Sequence, residues 1–129
     1  MTFSFKREPE SGLIIVSVET DGKYELKMVL DTGATNTTID SNALYLLGYD
    51  LKDNIGTVEI ETANGIIETE IFEIGSFSSL GHTKDNFQIQ VYDFLAHGVF
   101  SDYNGLLGLD FMEGMKFCVD TSNNTITLT

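Results

Sequence analysis

The chain has 129 residues, 42% of them hydrophobic, and its 20 acidic against 7 basic side chains give a formal charge of −13. That length supports one domain spanning residues 1–129 with a sizeable core, but not a bilobed enzyme, so a two-lobed site would need a second copy. The charge repels phosphate backbones and anionic membrane surfaces, which argues against nucleic acid and membrane as partners and suits cationic peptides.

The longest apolar runs, such as Leu13-Ile14-Ile15-Val16, are too short to cross a bilayer. No basic-then-apolar leader precedes them, and the expected location is cytoplasmic. The single cysteine, Cys118, permits no internal disulfide and no cysteine-based metal cluster. Flanked by Phe117 and Val119, it reads as a packed thiol on a strand. His82 and His97 sit in loop-like stretches without a helical i, i+4 partner, so no metal site is expected on them. An EF-hand starting at Asp31 fails because Asn36 stands where that loop needs glycine.

In chain order, residues 13–18 and 24–30 read as strands joined through Asp21-Gly22, a hairpin dipeptide. Residues 37–39 form a short strand after a polar loop. Residues 41–47 are the best helix: Asp40 or Ser41 can cap it and Gly48 can end it. Residues 58–62 and 66–74 alternate with period two around Asn64-Gly65, and residues 87–92 make another strand. A second short helix is expected at 109–115, followed by a hairpin of strands 117–119 and 125–128. Many short strands with one or two short helices define a mainly β fold, a closed or folded-over barrel.

A two-residue turn at Asn64-Gly65 pairs Ala63 with Ile66, Ile60 with Thr69 and Val58 with Ile71. Val58, Ile60, Ile67 and Ile71 then share one face. On the other, Glu61 opposes Glu68 and Glu59 opposes Glu70, which predicts a hairpin that is mobile at neutral pH and firmer in acid.

Asp31-Thr32-Gly33 alone is weak evidence, since average residue usage produces it by chance in roughly one chain in forty of this length. It also reads as an ordinary turn, with Asp bonding its own backbone and Gly supplying positive φ. Context changes the odds. The apolar stretch Lys27-Met28-Val29-Leu30 runs straight into the carboxylate, and far downstream Gly105-Leu106-Leu107-Gly108 supplies a second glycine-bounded apolar wall. Asp110 reads as a structural carboxylate at the start of the second helix, complementing its dipole. Glu59, Glu61, Glu68 and Glu70 read as a solvated face.

At this point the sequence resembles the retropepsin-like aspartic peptidases, single-domain relatives of the pepsins that work as homodimers. It looks closer to their cellular and bacterial members than to the viral ones. The resemblance rests on "VLDTGATNTTID" at 29–40, the flap-like "ETANGIIETEIFEIG" at 61–75 and "GLLGLDFM" at 105–112, and it runs from about residue 13 to the end. It implies an acid-protease fold with one lobe per chain and makes Asp31 the catalytic carboxylate. Thr32 would be the hydroxyl that locks the dimer, Gly33 the glycine whose backbone approaches substrate, and Ala34 part of the floor. Leu106, Leu107 and Gly108 would pack behind the active-site loop, and Ala63, Asn64 and Gly65 would form the flap tip.

The implied activity is an aspartic endopeptidase acting on extended peptides, with no cofactor and no metal. Its Asp31 pair would be assembled across a homodimer. Two carboxylates within hydrogen-bonding distance cannot both stay ionised, so they share a proton and titrate as one unit, as aspartic proteases in general do. Many viral members carry an Asp directly after the Ala of the motif and an Arg after the hydrophobic-hydrophobic-Gly motif. Here Thr35 and Leu109 stand at those positions. The N-terminal "TFSFK" and C-terminal "TITLT" are compatible with lying inside or outside an interleaved dimer sheet. The alternative function is a catalytically silent peptide-binding or dimerisation module of the same fold, capturing an extended segment by strand addition.

Overall fold

A computed structural model describes residues 1–63, 65–96 and 102–129. Asn64 of the expected flap tip and His97 lie outside the described residues.

Strands β1 (Thr2–Ser4) and β2 (Lys6–Arg7) lead into β3 (Ile14–Thr20) and β4 (Tyr24–Leu30). Alternation drives the third and fourth inward. Val16, Val18 and Thr20 of β3 are buried while Ser17 and Glu19 face out, and Leu26 and Met28 of β4 meet them from the facing strand. Asp21 and Gly22 take left-handed backbone angles of 53° and 64°, which closes the hairpin they were expected to close.

Beyond β5 (Thr38–Asp40) comes α1 (Ser41–Leu46), one residue shorter than expected. Asp40 caps it by accepting from the Asn42 amide, Ala43 and Leu44 bury its inner face, and Gly48 leaves it at φ 91°. Then β6 (Gly56–Thr62), the 15-residue β7 (Gly65–Ser79) and β8 (His82–Tyr92) run as a long meander. His82 therefore opens a strand rather than lying in a loop, paired with Ser79. The chain ends with β9 (Gly105–Leu107), α2 (Leu109–Met112), β10 (Phe117–Asp120) and β11 (Thr125–Leu128). The second helix stops three residues short of the expected end: Glu113 and Gly114 form a turn, with Gly114 at φ 80°.

The larger sheet runs β2-β3-β4-β9-β5-β8-β7-β6, and a further pairing of β3 with β7 closes it into a ring. Two hydroxyls sit buried beside that closure. Ser79 Oγ donates to the Ser17 carbonyl at 2.7 Å, and Thr20 Oγ1 is hydrogen-bonded to the Tyr49 hydroxyl at 3.0 Å. Desolvation, followed by its 2.6 Å hydrogen bond to Asp21, pushes the Tyr49 phenol up to about 12. Inside the ring, Phe77 packs on Phe87 and Phe111 with centroids 4.8 and 5.5 Å away. Burial of Phe111 stabilises the fold by about 2–3 kcal/mol and pins α2 to the core.

A second sheet, β1-β11-β10, joins both ends of the chain. Thr2, Phe3 and Ser4 pair with Thr127, Ile126 and Thr125 of the same chain. Cys118 lies on a strand as expected, but its thiol is exposed rather than packed. Phe117 and Val119 both pack against the core, so the pleat turns the residue between them outward.

The β6–β7 hairpin also departs from the expected register, by two residues. Thr62 pairs with Gly65, Ile60 with Ile67 and Val58 with Thr69. A two-residue slip leaves every side chain on its face, so Val58, Ile60, Ile67 and Ile71 still share the inner one. What changes is the charge pairing: Glu59 opposes Glu68, while Glu61 faces Ile66 and Glu70 faces Thr57. One like-charge pair replaces two, and Ile60 gains Ile67 as its partner, both favourable. Among the described residues, no helix is long and apolar enough to cross a membrane.

Candidate active site

The strand β9 lies between β4 and β5, parallel to the first and antiparallel to the second. The chain leaves β4 at Leu30, loops through residues 31–37, and returns as β5 on the far side of β9. Asp31 is thus delivered where a buried strand ends, and its amide continues the ladder by donating to the Leu107 carbonyl at 3.0 Å.

Locally, Asp31 bonds its own backbone as its sequence context suggests, but Gly33 does not take the expected positive φ. Asp31 Oδ1 accepts from the Gly33 amide at 2.9 Å and its carbonyl from the Ala34 amide at 3.1 Å. The carboxylate is half-buried, Thr32 and Gly33 are exposed, and Ala34 is intermediate. A Cβ on Gly33 would stand 3.2 Å from Asp31 Oδ1, so a side chain there would press on the carboxylate.

The loop is held from behind by α2. Leu109 and Asp110 donate their amides to the Ala34 and Thr35 carbonyls at 2.8 and 3.2 Å. Those are first-turn N–H groups with no partner inside the helix, and Gly108 at the N-cap has no side chain to satisfy them. The backbone at Ala34 and Thr35 is therefore stitched to that at Leu109 and Asp110, with no charged side chain at positions 35 and 109.

A second tie is stronger. Asp110 accepts from the Thr37 amide at 3.0 and 2.9 Å and from the Thr37 hydroxyl at 2.6 Å, and it also accepts from the Phe111 amide at 2.9 Å. The Thr37 hydroxyl in turn accepts from the Gly108 amide at 3.1 Å. Thr37 is fully buried. Asp110 does sit in the first turn of its helix, but its main contacts are with the far end of the Asp31 loop. Sequence reasoning missed Thr37 as its partner.

Glycine is required at Gly108 by close approach. A Cβ there would lie 2.8 Å from both the Ala34 carbonyl oxygen and the Asn36 carbonyl carbon, both backbone atoms. Gly105 is equally confined by the Thr38 carbonyl and Ile39. Leu107 is buried in the core, whereas Leu106 faces a cavity of about 250 Å³. The inner face of the flap-like hairpin covers that cavity with Ile60, Ile67 and Thr69. Phe94 contacts Tyr92 and Tyr103 edge-to-face at 6.0 and 6.2 Å along its side. Of the expected flap tip, Ala63 is an exposed turn residue and Gly65 opens β7 at φ 117°.

A ring of strands, a strand threaded between the two arms of an Asp-Thr-Gly loop, and a covering hairpin define the architecture of a single aspartic-protease lobe. The family model described as aspartyl protease matches residues 16–111, and the chain belongs to that family. Among solved structures, the chain is similar to a retropepsin-like aspartic protease from Rickettsia conorii. The two share 22% identity and superpose with a TM-score of 0.72 over 99% of this chain and 89% of that one. No curated protein matches.

Proposed function

We propose that the protein is an aspartic endopeptidase whose active site forms when two copies bring their Asp31 loops together. The observation that carries this reading is the placement of Asp31. It is a half-buried carboxylate on a loop braced by β9 and α2 and lying within the fold of the aspartyl protease family. One carboxylate per chain cannot serve as both base and acid, and a pair sharing a proton can. In that pair, the ionised Asp31 takes a proton from a water held between the two. The protonated one donates to the scissile carbonyl oxygen as the water attacks its carbon.

Thr32 and Gly33 are exposed beside Asp31 and supply, in this reading, the contact to the second copy and the backbone surface for substrate. The edges of β1 and β10 carry no further strand in the described sheet, so a second copy can add strands there. The hairpin of β6 and β7 closes over an extended peptide. Purified dimer incubated with a diverse peptide library from acidic to neutral pH should cleave it, and Asp31→Asn should abolish cleavage while preserving the dimer. Cleavage that survives the substitution would assign the activity elsewhere.

A further inference from the structure

Toward its tip, the covering hairpin leaves the rest of the sheet. β7 pairs with β8 along residues 71–79 and with β3 along 77–79, but along 66–70 its strand partner is β6 alone. Among the described residues β6 is the last strand of the sheet, with β7 as its one neighbour. At the junction Gly56 faces Ile71 with φ 153°, an angle that residues with a side chain rarely adopt. Two strands without a third are marginally stable in water, so small cross-strand terms decide how firmly such a hairpin forms.

On the outer face those terms are electrostatic and of one sign. Glu59 stands directly opposite Glu68, Glu61 is diagonal to Glu68, and Glu70 is diagonal to Glu59. All four are exposed. Direct cross-strand partners have Cβ atoms about 4.5–5.5 Å apart and diagonal ones lie within about 7–8 Å, inside the screening length of about 8 Å at physiological salt. Neither strand carries Lys, Arg or His. The remaining carboxylate of β7, Glu73, faces Gln88 of β8 beyond the junction. The titratable residues of β8, His82, Lys84 and Asp85, stand opposite Ser79, Phe77 and Ser76 at the far end of β7. Lys52 and Asp53 lie together in the short turn before β6, where their charges offset each other. On the inner face Ile60 meets Ile67 and covers the cavity beside Leu106. Apolar contact therefore closes the hairpin from one side while like charge loosens it from the other.

We propose that this hairpin is an acid-closed lid: ionised Glu59 and Glu68 loosen it at neutral pH, and their neutralisation in acid firms it over the cavity beside Leu106. Glutamate side chains ordinarily take up their protons near pH 4, which sets the range in which the lid closes. The effect on peptide binding rests on the peptidase reading, whereas the charge gate itself stands on the strand register.

Hydrogen exchange of the amides at 57–61 and 66–70, corrected for the intrinsic pH dependence of unstructured amides, reads the lid without turnover. It is measured on wild-type and Asp31→Asn protein alike. Protection there should rise about two- to fivefold between about pH 7 and about pH 4, the effect of one directly opposed like-charge pair. Glu68→Gln should show the acid level of protection at both pH values, and about 0.5 M salt should bring the neutral wild type close to it. Glu73→Gln makes the same charge change beyond the junction and should leave the rise intact. Protection that does not change with pH, or a rise that persists undiminished in Glu68→Gln, would overturn the proposal. In the peptidase assay, Glu68→Gln should have the lower KM at neutral pH by the same factor and an equal KM in acid. Equal KM values for the two proteins at neutral pH would overturn the lid's part in binding. Absence of any cleavage would count against the peptidase reading alone, because exchange still decides whether the lid responds to acid.

Discussion

Replacing Thr37 with valine removes one oxygen and keeps the shape, which isolates the tie between the Asp31 loop and α2. Two hydrogen bonds go with that oxygen. The first is the 2.6 Å donation to the Asp110 carboxylate, a charge-assisted bond of about 1.5–3 kcal/mol. The second is the 3.1 Å acceptance from the buried Gly108 amide, which is left unpaired at a cost of about 1–3 kcal/mol. Asp110 keeps the Thr37 and Phe111 amides, so it is not stranded, and the expected loss is about 2.5–6 kcal/mol. Thr37→Ser keeps the oxygen and loses only a methyl, about 1 kcal/mol. Urea unfolding followed by circular dichroism, at one fixed protein concentration, measures both variants. A valine variant no less stable than the serine variant would show that the Thr37–Asp110–Gly108 network does not hold the loop.

Gly108→Ala should destabilise by at least about 2 kcal/mol, because its Cβ meets two backbone atoms at 2.8 Å that cannot yield without moving the loop. Thermal unfolding together with peptidase activity should show both fall. Thr69→Val should instead raise stability by about 1–2 kcal/mol, since it removes a buried unpaired hydroxyl at near-constant volume. Urea midpoints decide the sign, and a destabilised variant would mean the hydroxyl is satisfied. Asp120 is held below its ordinary value of 3.8 by the Asn123 side chain, then by the Asn123 and Ser122 amides. A carboxylate with a lowered folded pKa stabilises fully above its unfolded value and ceases to as pH falls through the folded one. Asp120→Ala should therefore be less stable than wild type at neutral pH, with the gap closing below about pH 4.

Local pattern was enough for the strands and for the loop that carries Asp31. The alternation in β3 and the Asp21-Gly22 turn are short-range facts, as is the capped helix after Asp40. The misreadings fall where information is non-local or where the local rule was applied incompletely. Cys118 is an instance of the second kind: two inward neighbours on a strand oblige the residue between them to face out. The hairpin register could not be read from alternation, because a slip of two residues preserves every face. Pairing partners decide it, and these favour Ile60 beside Ile67.

Asp110 was legible as a helix-start carboxylate, but its partner Thr37 lies 73 positions away, and only the threading of β9 between β4 and β5 brings them together. The pairing of β1 with β11 spans nearly the whole chain and was equally silent in the sequence. Thr69 is a buried polar residue within an alternating segment. Its position on the apolar parity, flanked by Ile67 and Ile71, was the available signal.

Subunit mixing decides whether two chains build one active site. Wild-type and Asp31→Asn chains are combined at varying ratios and constant total concentration, allowed to exchange, and assayed for peptide cleavage. If both Asp31 carboxylates are needed, activity follows the square of the wild-type fraction, about a quarter at equal amounts for random pairing of a symmetric dimer. A linear decline, with about half the activity left at equal amounts, would mean that each chain works with its own carboxylate alone.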